Sequence, residues 1–334
     1  MEHAALAAAS AYTGPPAWTM GRVFADWQAE PVVLALVALA AAGYAWGLVR
    51  VRRAGGSWSP GRALSFAAGL ALWVFAVCSG VGVYEKVLFT DRALQAVLLL
   101  MIVPLLLALG APVSLLVAAA GERSRRRIEA ALASRPSQLL MFPLVSTVLL
   151  LVPPWLFYFT PWYRLSLTTT GFNILFHVAF VLLGLAYFWP RLQIDPVARR
   201  YHPLLSILIS VVEVLGDAAL GLILVFGSKL LVADYWQHLA RPWGMAPLDD
   251  QKWGGAVLWG LGDIAGVPFL AALIARVIRE ERARTVEVDR ELDAQEEATG
   301  AVVDPSGNGT ELTRPWWETD PRFAHRYGRG ATEG

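Results

Sequence analysis

Ionisable side chains and one amide fall inside otherwise apolar stretches of this chain, at Asn173, His177, Glu213, Asp217 and Asp263, and Arg92 stands at the opening of another. Such groups are expensive at membrane depth and therefore mark candidate functional positions. Glu213 and Asp217 stand at i and i+4, on one helix face. Two carboxylates that close in low dielectric do not both ionise unless a cation sits nearby. Three chemistries compete for this polar membrane cluster. One is a satisfied network that fixes helix register. The second is a metal site using His177 and Asp217, although one imidazole among hard oxygen donors is a poor set for a soft metal. The third is a proton or ion path through Glu213, which lacks a chain of further carboxylates toward the opposite face.

Other chemistries are excluded. Of His3, His177, His202, His238 and His325, only His177 lies in an apolar stretch, so a bis-His haem between helices is not supported. The last apolar stretch has no Lys for a retinal Schiff base. There is no HExxH, P-loop or Ser–His–Asp set, and no residue is assigned a catalytic role. Cys78 is the single cysteine, which precludes an internal disulfide or a CxxC site.

The elements that must position these groups are long apolar segments. The chain is 56% hydrophobic and 16% charged, against about 25% charged in soluble domains. Seven stretches, 32–50, 64–84, 93–119, 137–159, 171–189, 203–232 and 254–277, approach or exceed the roughly 20 residues that cross a bilayer. They predict an all-α integral membrane protein, a seven-transmembrane-helix bundle, with Pro104 a candidate kink in the third helix. Arginines fill alternate gaps: Arg50, Arg52, Arg53 and Arg62; Arg123, Arg125, Arg126, Arg127 and Arg135; Arg191, Arg199 and Arg200; then Arg276, Arg279, Arg282 and Arg284. The other gaps hold Arg22, Lys86, Arg92, Arg164, Arg241 and Lys252. This imbalance puts the N-terminus outside and the C-terminus in the cytoplasm. Aromatic clusters at 155–163 and 235–243 then read as outer interfacial anchors.

The expected organisation is an extracytoplasmic segment 1–31 without a visible signal peptide, a membrane domain 32–277, and a charged, partly disordered cytoplasmic tail 278–334. Residues 279–297 read as a solvated helix, and Trp316 and Trp317 as either tail or partner anchor. The net charge of +1 suggests no nucleic-acid partner. At 1.5 Å per residue, His177 lies about 9 Å and Asp263 about 14 Å below their outer helix ends, with Asp217 about 20 Å above its inner end. These three converge on one level of the outer half, within reach of Arg92.

The runs 105–116 (LLLALGAPVSLL), 183–196 (LGLAYFWPRLQIDP) and 249–259 (DDQKWGGAVLW), with Ala233–Trp236 and Arg241–Gly244, carry a resemblance. In this order and topology they resemble the CtaG-type cytochrome c oxidase assembly factors, over roughly 30–280. The resemblance implies a bacterial plasma-membrane protein that aids maturation of the oxidase copper centre, with the lipid bilayer and oxidase subunits as partners. It also implies an H-x-x-x-H pair on the third helix, an H-x-H pair on the fifth and a histidine on the sixth. These fall at Arg92 and Ala96, at His177 and Ala179, and at Asp217. Only His177 is retained, so the chain reads as a diverged member without most of the family's membrane histidines. Its cofactor is left unknown, with copper weakly supported. Arg92 and Asp217, of opposite charge, are expected to pair where the family places ligands. The resulting expectation is a non-enzymatic assembly factor. The alternatives are an ion or small-solute transporter using the intramembrane carboxylates, or a scaffold docking partners through 233–253 and the tail.

Overall fold

The computed structural model describes residues 12–140, 142–192, 194–195 and 203–299. Within these stretches some side chains, Asp217 and Asp263 among them, lie outside the description. Every regular element among the described residues is helical. In order they are α1 Met20–Ala25, α2 Pro31–Arg53, α3 Pro60–Cys78, α4 Gly80–Tyr84 and α5 Phe89–Val97. A π-helical segment Leu98–Ile102 leads into α6 Val103–Leu109, followed by α7 Pro112–Ala119, α8 Glu122–Leu132 and α9 Arg135–Leu140. Then come α10 Pro143–Phe159, α11 Pro161–Thr168, α12 Thr170–Leu192, α13 Pro203–Phe226, α14 Ala233–Leu239 and α15 Pro247–Thr299.

Proline sets many of these starts. Pro31, Pro60, Pro112, Pro143 and Pro161 occupy the first turn of their helices, where the missing N–H would have no partner anyway. Prolines inside a span act differently. Pro104 cannot donate to the Leu100 carbonyl one turn back, and the helix passes through its π-helical segment just before it. The freed Leu100 carbonyl faces Gly184 of α12, where an added Cβ would strike that oxygen and the Pro104 ring. Gly184 thus lets two backbones approach, the usual role of small residues between membrane helices.

Among the described residues, four helical stretches are long and apolar enough to cross a membrane: Pro31–Arg53, Pro60–Tyr84, Phe89–Ala119 and Thr170–Leu192. A fifth is the pair Leu144–Phe159 and Pro161–Thr168, bent by 73°. The third expected helix is not continuous. It breaks at Ala111, which takes a left-handed backbone at φ 51°, and α7 restarts on Pro112. The fourth ends in the sharp α10–α11 elbow, where the Thr160 hydroxyl accepts from the Trp162 N–H at 3.3 Å and caps the new direction. The helix of the sixth stretch ends at Phe226 rather than 232, and that of the seventh begins at Pro247 and takes in 279–297.

The core lies between α3, α5–α6, α10 and α12, and includes Trp73, Phe89, Leu99, Tyr158, Phe176, Phe180 and Phe188. Helix α2 is the least buried of the four stretches. The chain divides into a unit 1–275 and a second unit from Arg276, whose described part is helical through Thr299.

Candidate functional site

Glu85, on the short link between α4 and α5, is 2% exposed, and Arg92, two turns further on, is fully buried. Their closest atoms, Arg92 Nη1 and Glu85 Oε2, are 3.7 Å apart. Two amides complete the connection, each accepting from the cation and donating to the anion. Arg92 Nη1 donates to Gln95 Oε1 at 3.1 Å, and Gln95 Nε2 donates to Glu85 Oε2 at 2.5 Å. Arg92 Nη2 donates to Asn173 Oδ1 at 2.7 Å, and Asn173 Nδ2 donates to Glu85 Oε1 at 2.5 Å. The Arg92 guanidinium also stands over the Phe176 ring, 4.8 Å from its centre, a cation–π contact strengthened by desolvation.

His177 Nε2 lies 2.8 Å from Glu85 Oε2. Burial works to raise the Glu85 carboxyl, but the Arg92 and His177 charges and the donated hydrogen bonds prevail and hold it at about 2. The other ring nitrogen, Nδ1, is buried and has no partner among the described residues. An imidazole fixed by a carboxylate through one nitrogen and open at the other is the arrangement found behind many metal-ligating histidines.

Asp250, just inside α15, caps this region from outside the network. Its Oδ2 accepts from the Phe89 N–H at 2.8 Å and its Oδ1 from the Thr90 N–H at 3.2 Å and the Thr90 hydroxyl at 2.7 Å. The carboxylate thereby satisfies the first amides of α5 and meets the positive end of its dipole. The neighbouring Gln251 accepts from the Leu231 N–H and donates to the Lys229 carbonyl. Tyr235 donates to the Lys86 carbonyl at 2.8 Å. Arg241 donates to the Met245 carbonyl at 2.8 Å and lies over the Trp243 ring. Asp195 performs the same capping at the opposite end of α12, accepting from Val113 at 3.1 Å and Ser114 at 2.7 Å across the break in the third span.

Glu213 does not join His177. It belongs to a second buried cluster, where Thr147 donates at 2.7 Å, Tyr187 at 2.6 Å and Arg191 at 2.5 Å. His177 and Arg191 are fourteen residues apart on α12, about 21 Å along its axis. Arg92 and His177 meet at Glu85, with Gln95 and Asn173 bridging the arginine to the carboxylate. The expected Arg92–Asp217 pair and the place of Asp263 in the cluster lie outside the described side chains. Sequence reasoning passed over Glu85 because it sits just beyond an apolar stretch and reads as loop charge. Its signal was position: an acidic group seven residues before an intramembrane arginine.

Among the described residues no three His, Cys, Asp or Glu side chains gather to hold a metal ion. Cys78 is buried in α3. The described donors thus supply one imidazole nitrogen and no complete soft-metal set.

A family model for the cytochrome c oxidase caa3 assembly factor (Caa3_CtaG) matches residues 42–280. The chain belongs to this family. All the residues of both polar clusters and both carboxylate caps fall within the matched region. As a CtaG family member it is a multi-pass membrane protein. It is 28% identical over 292 residues to an uncharacterized protein of Mycobacterium bovis, covering 85% of this chain and 44% of that one. An uncharacterized Mycobacterium tuberculosis protein matches to the same extent. One of Mycobacterium leprae is 29% identical over 283 residues, covering 82% and 42%. The chain spans less than half the length of these curated relatives. No solved structure matches.

Proposed function

We propose that this CtaG family member supports cytochrome c oxidase assembly from the bacterial plasma membrane, as a non-enzymatic seven-helix bundle with its N-terminus outside. Oxidase subunits are its clients, and maturation of the oxidase copper centre is the step it serves. It does so without a complete copper site of its own. The observation that carries this reading is the Glu85–Arg92 pair with its two bridging amides. A fixed cation occupies the centre of the buried network, and a metal ion there would meet its repulsion. His177 Nδ1 is without a partner among the described residues, and we assign it, with Asp217, as the candidate contact for a transient metal cargo.

The transporter alternative loses support from the second cluster. Glu213 is engaged by Arg191, Tyr187 and Thr147, so its oxygens are occupied by donors from neighbouring helices rather than turned to a path. Deleting the gene and measuring copper in purified oxidase tests the proposal. Copper-deficient oxidase, restored by the wild-type gene, is expected; fully loaded oxidase from the deletion strain would overturn it. Metal content of the purified protein, with and without His177→Ala, tests the cargo contact. Equal content would dismiss His177 as a ligand.

A further inference from the structure

Where the third span breaks at Ala111 and α7 restarts on Pro112, a groove of about 250 Å³ opens between α2, α3 and α7. Gly43 and Tyr44 line it from α2, Phe66 from α3, and Pro112 and Leu115 from α7. The Tyr44 and Phe66 rings stack at 4.0 Å. A Cβ added at Gly43 would meet no atom within 4 Å, so the space in front of it is open. Printed contacts then run from the groove to a cation. Trp58, on the connection between α2 and α3, donates its indole N–H to the Tyr44 hydroxyl at 3.1 Å. Arg62 stands over the Trp58 ring, 5.2 Å from its centre, one turn before Phe66 on α3. On α2, Arg50 stands over Trp46 at 5.4 Å, two turns beyond Gly43 on the same helix face. Arg50, Arg52, Arg53 and Arg62 are the only charged residues between Glu30 and Glu85.

Apolar walls come first, then a phenol and two indoles, then guanidiniums. Acyl chain, interface and headgroup follow one another in the same order across a leaflet. We infer that this groove holds an acyl chain of an anionic phospholipid whose phosphate is bound by Arg50 and Arg62. Charge selects the headgroup, because this stretch carries four cations and no acid, and basic pockets between membrane helices take anionic lipids. A guanidinium laid over a ring keeps its N–H edge free, and that edge matches phosphate oxygens in a two-pronged contact. Size selects the chain. An apolar cavity of about 150 Å³ admits a benzene ring, so this one takes several methylenes. A single turn of helix, about 10 Å wide and 5.4 Å long, occupies roughly 400 Å³, more than the groove provides. Holding the chain's orientation in the membrane needs only the arginines' charge. It does not need two of them laid over indoles beside an apolar groove.

Native mass spectrometry of the purified chain in detergent tests this, with dioleoyl phosphatidylglycerol or dioleoyl phosphatidylcholine added at equal concentration. Phosphatidylglycerol should bind more tightly by about fivefold per arginine, roughly 30-fold for the pair. Equal binding of the zwitterionic lipid would overturn the proposal, and this comparison needs no variant. Arg50→Gln combined with Arg62→Gln should erase the preference; a preference that survives would overturn the assignment of the phosphate. Gly43→Leu fills the groove from a position with free space around it, so it should weaken phosphatidylglycerol binding while the Tm in lipid-free detergent stays as in wild type. Unchanged binding in Gly43→Leu would mean that surface arginines hold the headgroup without the groove, and would overturn the site. Glycerol 3-phosphate that displaces the lipid at equal concentration would make it a site for free phosphate, which also overturns it. So would a lipid-free dimer that Gly43→Leu dissociates, because the groove would then belong to a second copy of the chain.

Discussion

The two buried polar clusters at opposite ends of α12 are built from the same parts and differ in what they leave open. Each centres on a carboxylate, Glu85 or Glu213, held by an arginine that also sits 4.8 Å over an aromatic ring. Around Glu213 the donors are two hydroxyls and a guanidinium, each of which donates to the carboxylate. Around Glu85 the bridging groups are amides, which accept as well as donate, so cation and anion are joined through intermediaries. The ring of donors then has room for an imidazole, whose far nitrogen has no partner among the described residues. A buried ion pair by itself is weak evidence for net stabilisation, because desolvation offsets most of the Coulomb gain. The Glu213 cluster reads as a helix lock. The Glu85 cluster is a lock with one reserved ligand.

The largest expected effect breaks both locks. Arg92→Ala and Arg191→Ala should each cost about 3–5 kcal/mol, because each strands a buried carboxylate; thermal unfolding in detergent measures it. Adding Glu85→Gln to Arg92→Ala should restore a large part of the loss, since no charge is then left unpaired. No recovery in the double variant would mean that Arg92 acts by packing rather than by pairing.

Next in size is the helix contact between the clusters. Gly184→Ala should cost about 1–3 kcal/mol by overpacking against the Leu100 carbonyl and Pro104. Wild-type stability in that variant would show that α12 can shift away from the π-helical segment.

Acid titration separates the clusters more finely. Glu85 drops from an ordinary 4.5 to about 2 in the folded protein. A depressed folded value means that its stabilising contribution is complete above the unfolded value and is lost as pH falls from there through about 2. Glu85→Gln should flatten the unfolding curve over that window. If the acid limb is unchanged in Glu85→Gln, the carboxylate is not what Arg92 and His177 hold. The smallest effect is local. Asp195→Ala removes the cap at the break in the third span and should cost about 1 kcal/mol, without changing the acid limb assigned to Glu85.

The composition and spacing of this chain determined a helical membrane protein by themselves, because apolar length and proline position are local properties that need no partner to be read. They also marked Asn173 and His177 as polar groups inside an apolar stretch, with Arg92 at the opening of another, and the ordered motifs carried the family. The tertiary structure decided what those motifs do. Asp250, which precedes the seventh stretch, caps the start of the third span, and the Asp195 that follows the fifth caps its restart at Pro112. Neither role is visible in a linear reading, because each joins segments 81 to 161 residues apart. The partner of Arg92 was decided there too. Glu85 lies in what reads as a connecting loop, and only the packing of α4, α5 and α12 buries it and closes the network around His177.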